Sequence, residues 1–192
     1  HARIVESKTE VGLARIATAF NQALAQNPNT ILVDAGDTFH GLPIANIDQG
    51  ASVVEVMNRV GYSLMTTGNH DYNYGMDRLM QLEKMANFQI LAANVYKDGK
   101  RVFTPYVIKN IGGVRVAFFG LATPETAYKT DPKNVQGIHF SDPIVEAKAV
   151  VYDLIGQYDV LVCLSHIGTD KSSHPTSIQI AEAVPQIDVM ID

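Results

Sequence analysis

Three apolar stretches of the chain each end in side chains that can bind a metal ion or move a proton. The three segments that follow these stretches are Asp34-Ala35-Gly36-Asp37, Gly68-Asn69-His70-Asp71 and Ser165-His166. Asp, Asn and His side chains at the end of a buried strand contribute little to a hydrophobic core, but they are well suited to bind a ligand. Because the carboxyl ends of strands in an α/β sheet border one crevice, we predict that the three segments meet there.

Together the segments offer oxygen and nitrogen ligands without thiolate. Asp37 has two oxygens and can bridge two cations, Asn69 offers a carbonyl oxygen, and His166 offers a ring nitrogen. This set suits Mn, Fe, Zn or Co better than Ca or Mg alone. Two such ions about 3.5–4 Å apart can hold the attacking and leaving oxygens of a phosphoryl displacement. His70, next to Asn69, could then stabilise the phosphate or protonate the leaving group.

Structural interpretations compete with these chemical ones. For Asp34 we favour a turn that bonds backbone amides over metal ligation. Asp37 alone would suggest a loop residue, but its place after a strand in Asp-x-Gly-Asp favours a ligand. His166 could be a core histidine, and its position between a strand and a glycine favours ligation. The remaining histidines, expected at the pocket edge or on the surface, are His40, His139 and His174.

Composition narrows the classes of partner. A net charge of -5 and no basic block argue against a nucleic-acid polymer. No apolar run approaches the ~20 residues that a membrane span requires. Cys163 is the only cysteine, which excludes an internal disulfide and a cysteine-based zinc site, and we expect it to be a small buried hydrophobe.

Hydrophobic periodicity predicts helices alternating with strands, and therefore an α/β layered fold in one domain over residues 1–192. Gly112-Gly113 separates two apolar runs and predicts a hairpin, which makes the sheet mixed. Ser141-Asp142-Pro143 is typical of a helix start. The predicted helices cover residues 13–24, 53–60, 76–85, 144–155 and 178–184. The predicted strands cover residues 30–33, 64–65, 90–95, 106–111, 114–121, 160–164 and 189–191.

At these segments the chain resembles the calcineurin-like metallophosphoesterases. Within them it is similar to the branch of 5′-nucleotidases, UDP-sugar hydrolases and 2′,3′-cyclic-nucleotide phosphodiesterases. The matching runs are residues 34–37, Asp-Ala-Gly-Asp; 68–75, Gly-Asn-His-Asp-Tyr-Asn-Tyr-Gly; 120–126, Gly-Leu-Ala-Thr-Pro-Glu-Thr; and 164–168, Leu-Ser-His-Ile-Gly. The resemblance implies a four-layer α/β/β/α sandwich with mixed sheets. It also implies hydrolysis of nucleotide phosphate esters with two divalent metal ions, outside the cytoplasm.

The resemblance also implies roles for individual residues. His1 would bind one metal, Asp37 would bridge both, Asn69 and His166 would bind the second, and His70 would be catalytic. The family pattern opens with Asp-x-His and closes with Gly-His-x-His. We expect the opening Asp, the closing histidines and a carboxy-terminal substrate domain outside the 192 residues.

One position departs from the 5′-nucleotidase pattern, in which an Asp three residues after the catalytic His pairs with it. Here that position is Asn73. An amide can orient an imidazole but supplies no negative charge to favour its cation. Asp71, adjacent to His70 in sequence, is the other candidate beside it. His70, Asp71 and Asn73 are therefore the candidate catalytic residues.

Several functions remain open from the sequence. The main expectation is a 5′-nucleotidase-like phosphohydrolase, with a 2′,3′-cyclic-nucleotide phosphodiesterase or a UDP-sugar hydrolase as alternatives. A thiosulfohydrolase, which cleaves a sulfur ester, is another alternative, because a related branch uses the same dimetal scaffold. The last alternative is a non-catalytic binding module, although the joint presence of Asp37, Asn69, His70 and His166 speaks against it.

Overall fold

A computed structural model describes residues 11–192, so His1 lies outside the described residues. The helices are α1 Leu13–Gln26, α2 Pro43–Ile47, α3 Ala51–Val60, α4 Met76–Met85, α5 Thr126–Lys129, α6 Pro143–Asp153 and α7 Ser177–Ala183. The strands are β1 Val33–Asp34, β2 Leu64–Thr66, β3 Gln89–Leu91, β4 Val95–Lys97, β5 Lys100–Arg101, β6 Tyr106–Ile111, β7 Val114–Ala122, β8 Ile138–Phe140, β9 Val160–His166 and β10 Val189–Ile191. Among these helices none is both long and apolar enough to cross a membrane.

The strands form two main sheets and one small sheet. β1, β2 and β3 pair in that order, all parallel. The second sheet has the order β10-β9-β7-β6, in which only the β6–β7 pair is antiparallel. β6 and β7 are joined by Gly112 and Gly113, which have φ of 60° and 89°, as the predicted hairpin requires. The small sheet, β5-β4-β8, is antiparallel.

Three apolar clusters hold these elements in four layers. α1, α3 and α4 pack with the first sheet, and α6 and α7 pack with the second sheet. Between the two sheets lie five buried side chains, Leu64, Leu91, Phe118, Val162 and Leu164. Because burial of each such side chain stabilises the fold by about 2 kcal/mol, this inner cluster joins the two halves. The predicted mixed α/β sandwich is confirmed.

The helix ends follow from local sequence. Asp142 Oδ1 accepts hydrogen bonds from the amides of Ile144 and Val145 at 2.7 and 3.3 Å, and Pro143 occupies the first helical position of α6. α3 ends at Gly61, whose φ of 95° is the left-handed conformation that glycine adopts freely. Both boundaries were predicted from the residue types.

The single strand predicted over residues 90–95 is wrong. β3 ends at Leu91 and β4 begins at Val95, and the two strands belong to different sheets. The buried Asn94 side chain donates to Ala122 O at 2.7 Å and accepts from Ala122 N at 2.9 Å. At this turn the side-chain amide of Asn94 therefore makes the hydrogen bonds with Ala122 that the backbone of a neighbouring strand would otherwise make. Met85, the last residue of α4, is 38% exposed.

Candidate functional site

The ends of β1, β2 and β9 meet on one side of the sandwich, as predicted. Asp37 Oδ2 lies 3.3 Å from His166 Nε2, and Asp37 Oδ1 accepts a hydrogen bond from His70 N at 2.8 Å. Asn69 and His166 line the same cavity, of about 330 Å³. Asp37 and Asn69 follow strands of the first sheet, whereas His166 ends a strand of the second. The site therefore draws on both sheets.

The loop that carries Asp37 is held by a buried carboxylate. Asp71 Oδ2 accepts hydrogen bonds from the amides of Asp37 and Gly68, both at 2.8 Å. Its Oδ1 accepts from the amides of Thr38 and Phe39, at 2.8 and 2.9 Å. The loops after β1 and β2 are thus fastened to one side chain. Asp37 is held there at a φ of 62°, a conformation that non-glycine residues rarely adopt.

These contacts correct the expectation that Asp71 is a catalytic group beside His70. Asp71 is 1% exposed, and both its oxygens face the backbone of the neighbouring loops. Burial raises its pKa to about 6, and the amides of Phe39 and Gly68 oppose that rise. Sequence adjacency to His70 does not direct the carboxylate toward the imidazole. Asp71 positions the loop that presents Asp37.

Two glycines allow the loops to approach this closely. A Cβ on Gly68 would overlap Asp37 Oδ1, and a Cβ on Gly36 would lie 2.5 Å from Gly68 N. Any side chain at either position would push the loops apart. The glycines of both predicted segments therefore set the spacing between Asp37 and Asn69.

Asp34 has the turn role that we favoured. Its Oδ1 accepts hydrogen bonds from Gly36 N at 2.9 Å and from Thr38 Oγ1 at 2.7 Å. Burial raises its pKa, and these two bonds oppose the rise. The other histidines also lie where they were expected. His40 stacks on His70 with ring centroids 5.5 Å apart, and His139 and His174 are exposed.

The ring of His166 is oriented with Nε2 toward Asp37. Its Nδ1 lies 2.8 Å from Ala35 O, and a carbonyl can only accept, so Nδ1 carries the proton and Nε2 of the neutral ring has a free electron pair. Burial disfavours a positive charge on the ring of His166. The hydrogen bond with Asp37 and the negative charge of Asp37 outweigh the effect of burial and raise the pKa of His166. Burial likewise opposes the charge of Asp37, and its contact with His166 outweighs this effect and lowers its pKa. A cation between the two groups would satisfy both the electron pair of Nε2 and the charge of Asp37.

The described donor set fits a divalent cation with borderline ligand preference. It consists of the Asp37 carboxylate, the His166 imidazole and the Asn69 amide, the last only 8% exposed. Among residues 11–192, no group of three His, Cys, Asp or Glu side chains is arranged to hold a metal ion. The fourth predicted ligand, His1, lies outside these residues. Ligation by His1 therefore stays a prediction.

His70 contacts Asn73, the position that departs from the family pattern. Asn73 Nδ2 lies 2.9 Å from His70 Nδ1, and Asn73 Oδ1 accepts a hydrogen bond from Thr130 Oγ1 at 2.8 Å. Burial lowers the pKa of His70, with smaller contributions from His40 and His166, and Asp37 opposes them. Sequence reasoning missed Thr130, because a hydrogen bond across 57 residues leaves no local pattern.

The cavity beside Asn69 and His166 is also lined by a cationic side chain, Lys129, that the sequence did not single out. Its lining includes Thr123, Glu125, Lys129 and Thr169 in addition to Asn69 and His166. Lys129 Nζ pairs with Glu125 Oε2 at 2.5 Å. Glu125 also accepts hydrogen bonds from Tyr128 and Ser173, and these contacts lower its pKa although burial opposes them. Helix α5 therefore presents an ammonium group at the edge of the cavity.

Comparison with known proteins points to one family. The family model described as calcineurin-like phosphoesterase matches residues 1–191. A 5′-nucleotidase of Vibrio cholerae serotype O1 is 30% identical over 95% of this chain, which covers 36% of that protein. The chain spans about a third of the length of the curated relatives that it matches first.

Solved structures share the fold. The calcineurin-like phosphoesterase YfkN from Bacillus subtilis has a TM-score of 0.84 and 30% identity, over 96% of this chain and 64% of that one. A 5′-nucleotidase precursor from Thermus thermophilus has a TM-score of 0.81 and 31% identity, over 93% of this chain and 35% of that one. The sulfate thiohydrolase SoxB of Thermus thermophilus has a TM-score of 0.81 over 93% of this chain and 33% of that one. Its identity of 21% shows a common fold alone.

Proposed function

We propose a metal-dependent phosphoesterase activity toward nucleotides for this chain, which belongs to the calcineurin-like phosphoesterase family. Members of the family use a dinuclear metal centre. The observation that carries the proposal is the 3.3 Å approach of His166 Nε2 to Asp37 Oδ2, with Asn69 lining the same cavity. A free electron pair facing a carboxylate is the arrangement that a bound cation satisfies.

Two divalent ions, of Mn, Zn, Fe or Co, would be held by His1, Asp37, Asn69 and His166. When bound, such ions supply an activated water and neutralise charge on the phosphate. The two carboxylate oxygens of Asp37 suit it to bridge the ions. Its loop is fixed by Asp71, so the bridging group is placed before any ligand arrives.

His70 and Lys129 are two groups near this place that can donate a hydrogen bond to a phosphate. His70 N donates to Asp37 Oδ1, which puts the His70 ring next to the predicted bridging carboxylate. Lys129 lies on the cavity wall and can attract an anionic substrate. We assign His70 to the reacting phosphate and Lys129 to the outer part of the substrate.

Nucleotides are proposed as substrates because relatives of at least 30% identity are named 5′-nucleotidases. A 2′,3′-cyclic nucleotide or a UDP-sugar remains an alternative substrate within the same branch. The likeness to SoxB, at 21% identity, shows a common fold and gives no support to hydrolysis of a sulfur ester. Because the chain spans about a third of the length of its curated relatives, a carboxy-terminal substrate domain is a further part of the proposal. A location outside the cytoplasm is another part, supported by the likeness to a 5′-nucleotidase precursor.

The experiment compares ligands with the catalytic histidine in the full-length protein. Asp37→Ala, Asn69→Ala and His166→Ala should lower bound metal, measured by elemental analysis. His70→Ala should keep the metal and lose turnover of nucleoside 5′-monophosphates. His139→Ala is the matched control, since His139 is exposed and outside the site, and it should change neither quantity.

The substrates tested are a nucleoside 5′-monophosphate, a 2′,3′-cyclic nucleotide, a UDP-sugar and a thiosulfonate. Turnover of any of the first three that depends on metal supports a nucleotide phosphoesterase and ranks its substrates. Turnover of the thiosulfonate alone, or full activity of the Asp37→Ala protein, would overturn the proposal. Equal loss of metal from His70→Ala and His166→Ala would show that the ligand and catalytic roles are wrongly divided.

A further inference from the structure

We propose that Thr130 is a positioning residue that acts through the Asn73 amide and keeps the proton of neutral His70 on Nε2. Its consequence for turnover rests on the proposed function, whereas its consequence for the imidazole does not. Thr130 follows helix α5 and is 5% exposed.

Both the backbone and the side chain of Asn73 are held by hydrogen bonds. Asn73 N donates to His70 O at 3.1 Å, and Asn134 Nδ2 donates to Asn73 O at 2.7 Å. At the side chain, Thr130 Oγ1 donates to Asn73 Oδ1 at 2.8 Å. The Asn73 amide therefore lies between the hydroxyl of Thr130 and the ring of His70. The residue after α5, Thr130, is thus linked to the His70 ring through the side chain of Asn73.

The orientation of the amide decides which ring nitrogen of His70 carries the proton. With Oδ1 toward Thr130, the amide nitrogen faces His70 Nδ1 at 2.9 Å. An amide nitrogen only donates, so Nδ1 must accept and the proton of the neutral ring belongs on Nε2. Reversal of the amide would put the proton on Nδ1 instead. The tautomer of His70 is thus a direct readout of the orientation of Asn73.

The amide at position 73 leaves neutral His70 with a hydrogen-bond donor, Nε2–H. A carboxylate at position 73 can only accept, so it would take the Nδ1 proton and leave Nε2 of the neutral ring without one. With an amide at position 73, the uncharged ring keeps Nε2–H and can donate a hydrogen bond to a phosphate oxygen. His70 then stabilises the substrate as a neutral donor.

The test uses the full-length protein loaded with zinc, a diamagnetic ion, and ¹⁵N-labelled histidine. The His70 signals are assigned by comparison with His70→Ala, and their ¹⁵N shifts report which nitrogen is protonated. We expect Nε2–H in the wild-type protein. Asn73→Asp should move the proton to Nδ1. Nδ1–H in the wild-type protein would overturn the proposal.

Thr130→Val removes the hydroxyl and keeps the side-chain shape, whereas Thr130→Ser keeps the hydroxyl. We expect Thr130→Val to give a mixture of tautomers and about a tenfold lower kcat, with KM and bound zinc unchanged. Thr130→Ser should match the wild-type protein in tautomer and stay within about threefold in kcat. Identical tautomers and turnover in the two variants would overturn the positioning role.

Two further results separate the possible failures. If Thr130→Val does not fold, the ¹⁵N spectra of the wild-type and Asn73→Asp proteins decide the proposal. An Nε2–H tautomer that does not change in Asn73→Asp would overturn it. A wild-type protein with the expected tautomer but no phosphoesterase activity would contradict the proposed function and leave the inference about Thr130 and His70 standing.

Discussion

Two buried carboxylates of this molecule, Asp71 and Glu146, are satisfied in different ways. Asp71 accepts four hydrogen bonds, all from backbone amides of the loops that carry Asp37 and Asn69. Glu146, on α6, accepts from the side chains of Tyr96, Arg101 and Ser141 at 2.8–2.9 Å. Each Asp71 partner is part of a chain segment that carries a site residue. The Glu146 partners join α6 to the small sheet.

The difference teaches what each carboxylate controls. Loss of Asp71 releases backbone, and therefore changes where Asp37 stands. Loss of Glu146 leaves side chains that can turn to other partners or to water. One carboxylate should thus be coupled to metal binding, and the other to stability alone.

The largest effect is expected from Asp71→Asn. Its amide group would point donor hydrogens at amides that are themselves donors, so we expect the free energy of unfolding to fall by about 3 kcal/mol. Bound metal should fall with it, because Asp37 is no longer held. Chemical denaturation and elemental analysis measure the two quantities. Normal metal content in the Asp71→Asn protein would contradict the positioning role of Asp71.

A smaller loss is expected from Gly68→Ala, which tests the same loops without removing a hydrogen bond. The new Cβ would overlap Asp37 Oδ1, and we expect a loss of about 2 kcal/mol in unfolding free energy together with weaker metal binding. Gly156→Ala is the control, since a Cβ there meets nothing within 4 Å, and its cost should come only from its φ of 75°. Metal titration by calorimetry distinguishes them: equal affinities would argue against crowding at Asp37.

The counterpart on the other side of the comparison is Glu146→Gln. It keeps the shape of the side chain and removes the ion pair with Arg101. We expect a loss of about 1 kcal/mol in unfolding free energy with no change in bound metal or turnover. The same denaturation and metal measurements serve as for Asp71→Asn. A fall in metal content here would mean that the two carboxylates are not separate in function.

The smallest effect concerns an exposed carboxylate, Asp159, which pairs with Arg115 at 2.7 Å. The bonds from Arg115 lower the pKa of Asp159 to about 2, below its ordinary value of 3.8. Because the folded pKa is the lower one, the contribution to stability is present above the unfolded pKa and is lost as the pH falls from about 4 to about 2. NMR titration of Asp159 should give a higher pKa in Arg115→Gln than in the wild-type protein, although still below 3.8, because the backbone amide of residue 115 continues to donate to the carboxylate. An unchanged low pKa in that variant would refute the pairing.

The sequence was sufficient to predict the five longest helices, most strands of the two main sheets and the strand ends that make the site. Helix periodicity, the Asp142-Pro143 start and the glycine turn are local signals, and the structure follows them. The strand-end rule places Asp37 and Asn69 together because β1 and β2 are parallel neighbours in one sheet. His166 ends a strand of the other sheet and meets them because the two sheets pack face to face.

The remaining features could not be predicted because they depend on contacts between distant segments. The partners of Asp71 are mainly amides 32 to 34 residues away, and every residue type except proline has an amide hydrogen. Thr130 reaches Asn73 across 57 residues. The break between β3 and β4 depends on Asn94 meeting Ala122, which an apolar run cannot reveal. These contacts form only when distant segments pack together, and the local sequence pattern does not predict them.

The origin of the site in two sheets has an evolutionary consequence. The distance between Asp37 and His166 depends on how far apart the sheets lie, and that spacing is set by the inner cluster of Leu64, Leu91, Phe118, Val162 and Leu164. A substitution in this cluster that changes its volume by one methylene is expected to shift the sheets slightly and to move Asp37 and His166 relative to each other. We therefore expect neutral repacking of this interior layer to change the preference of the proposed metal site, while the proposed ligands themselves stay the same.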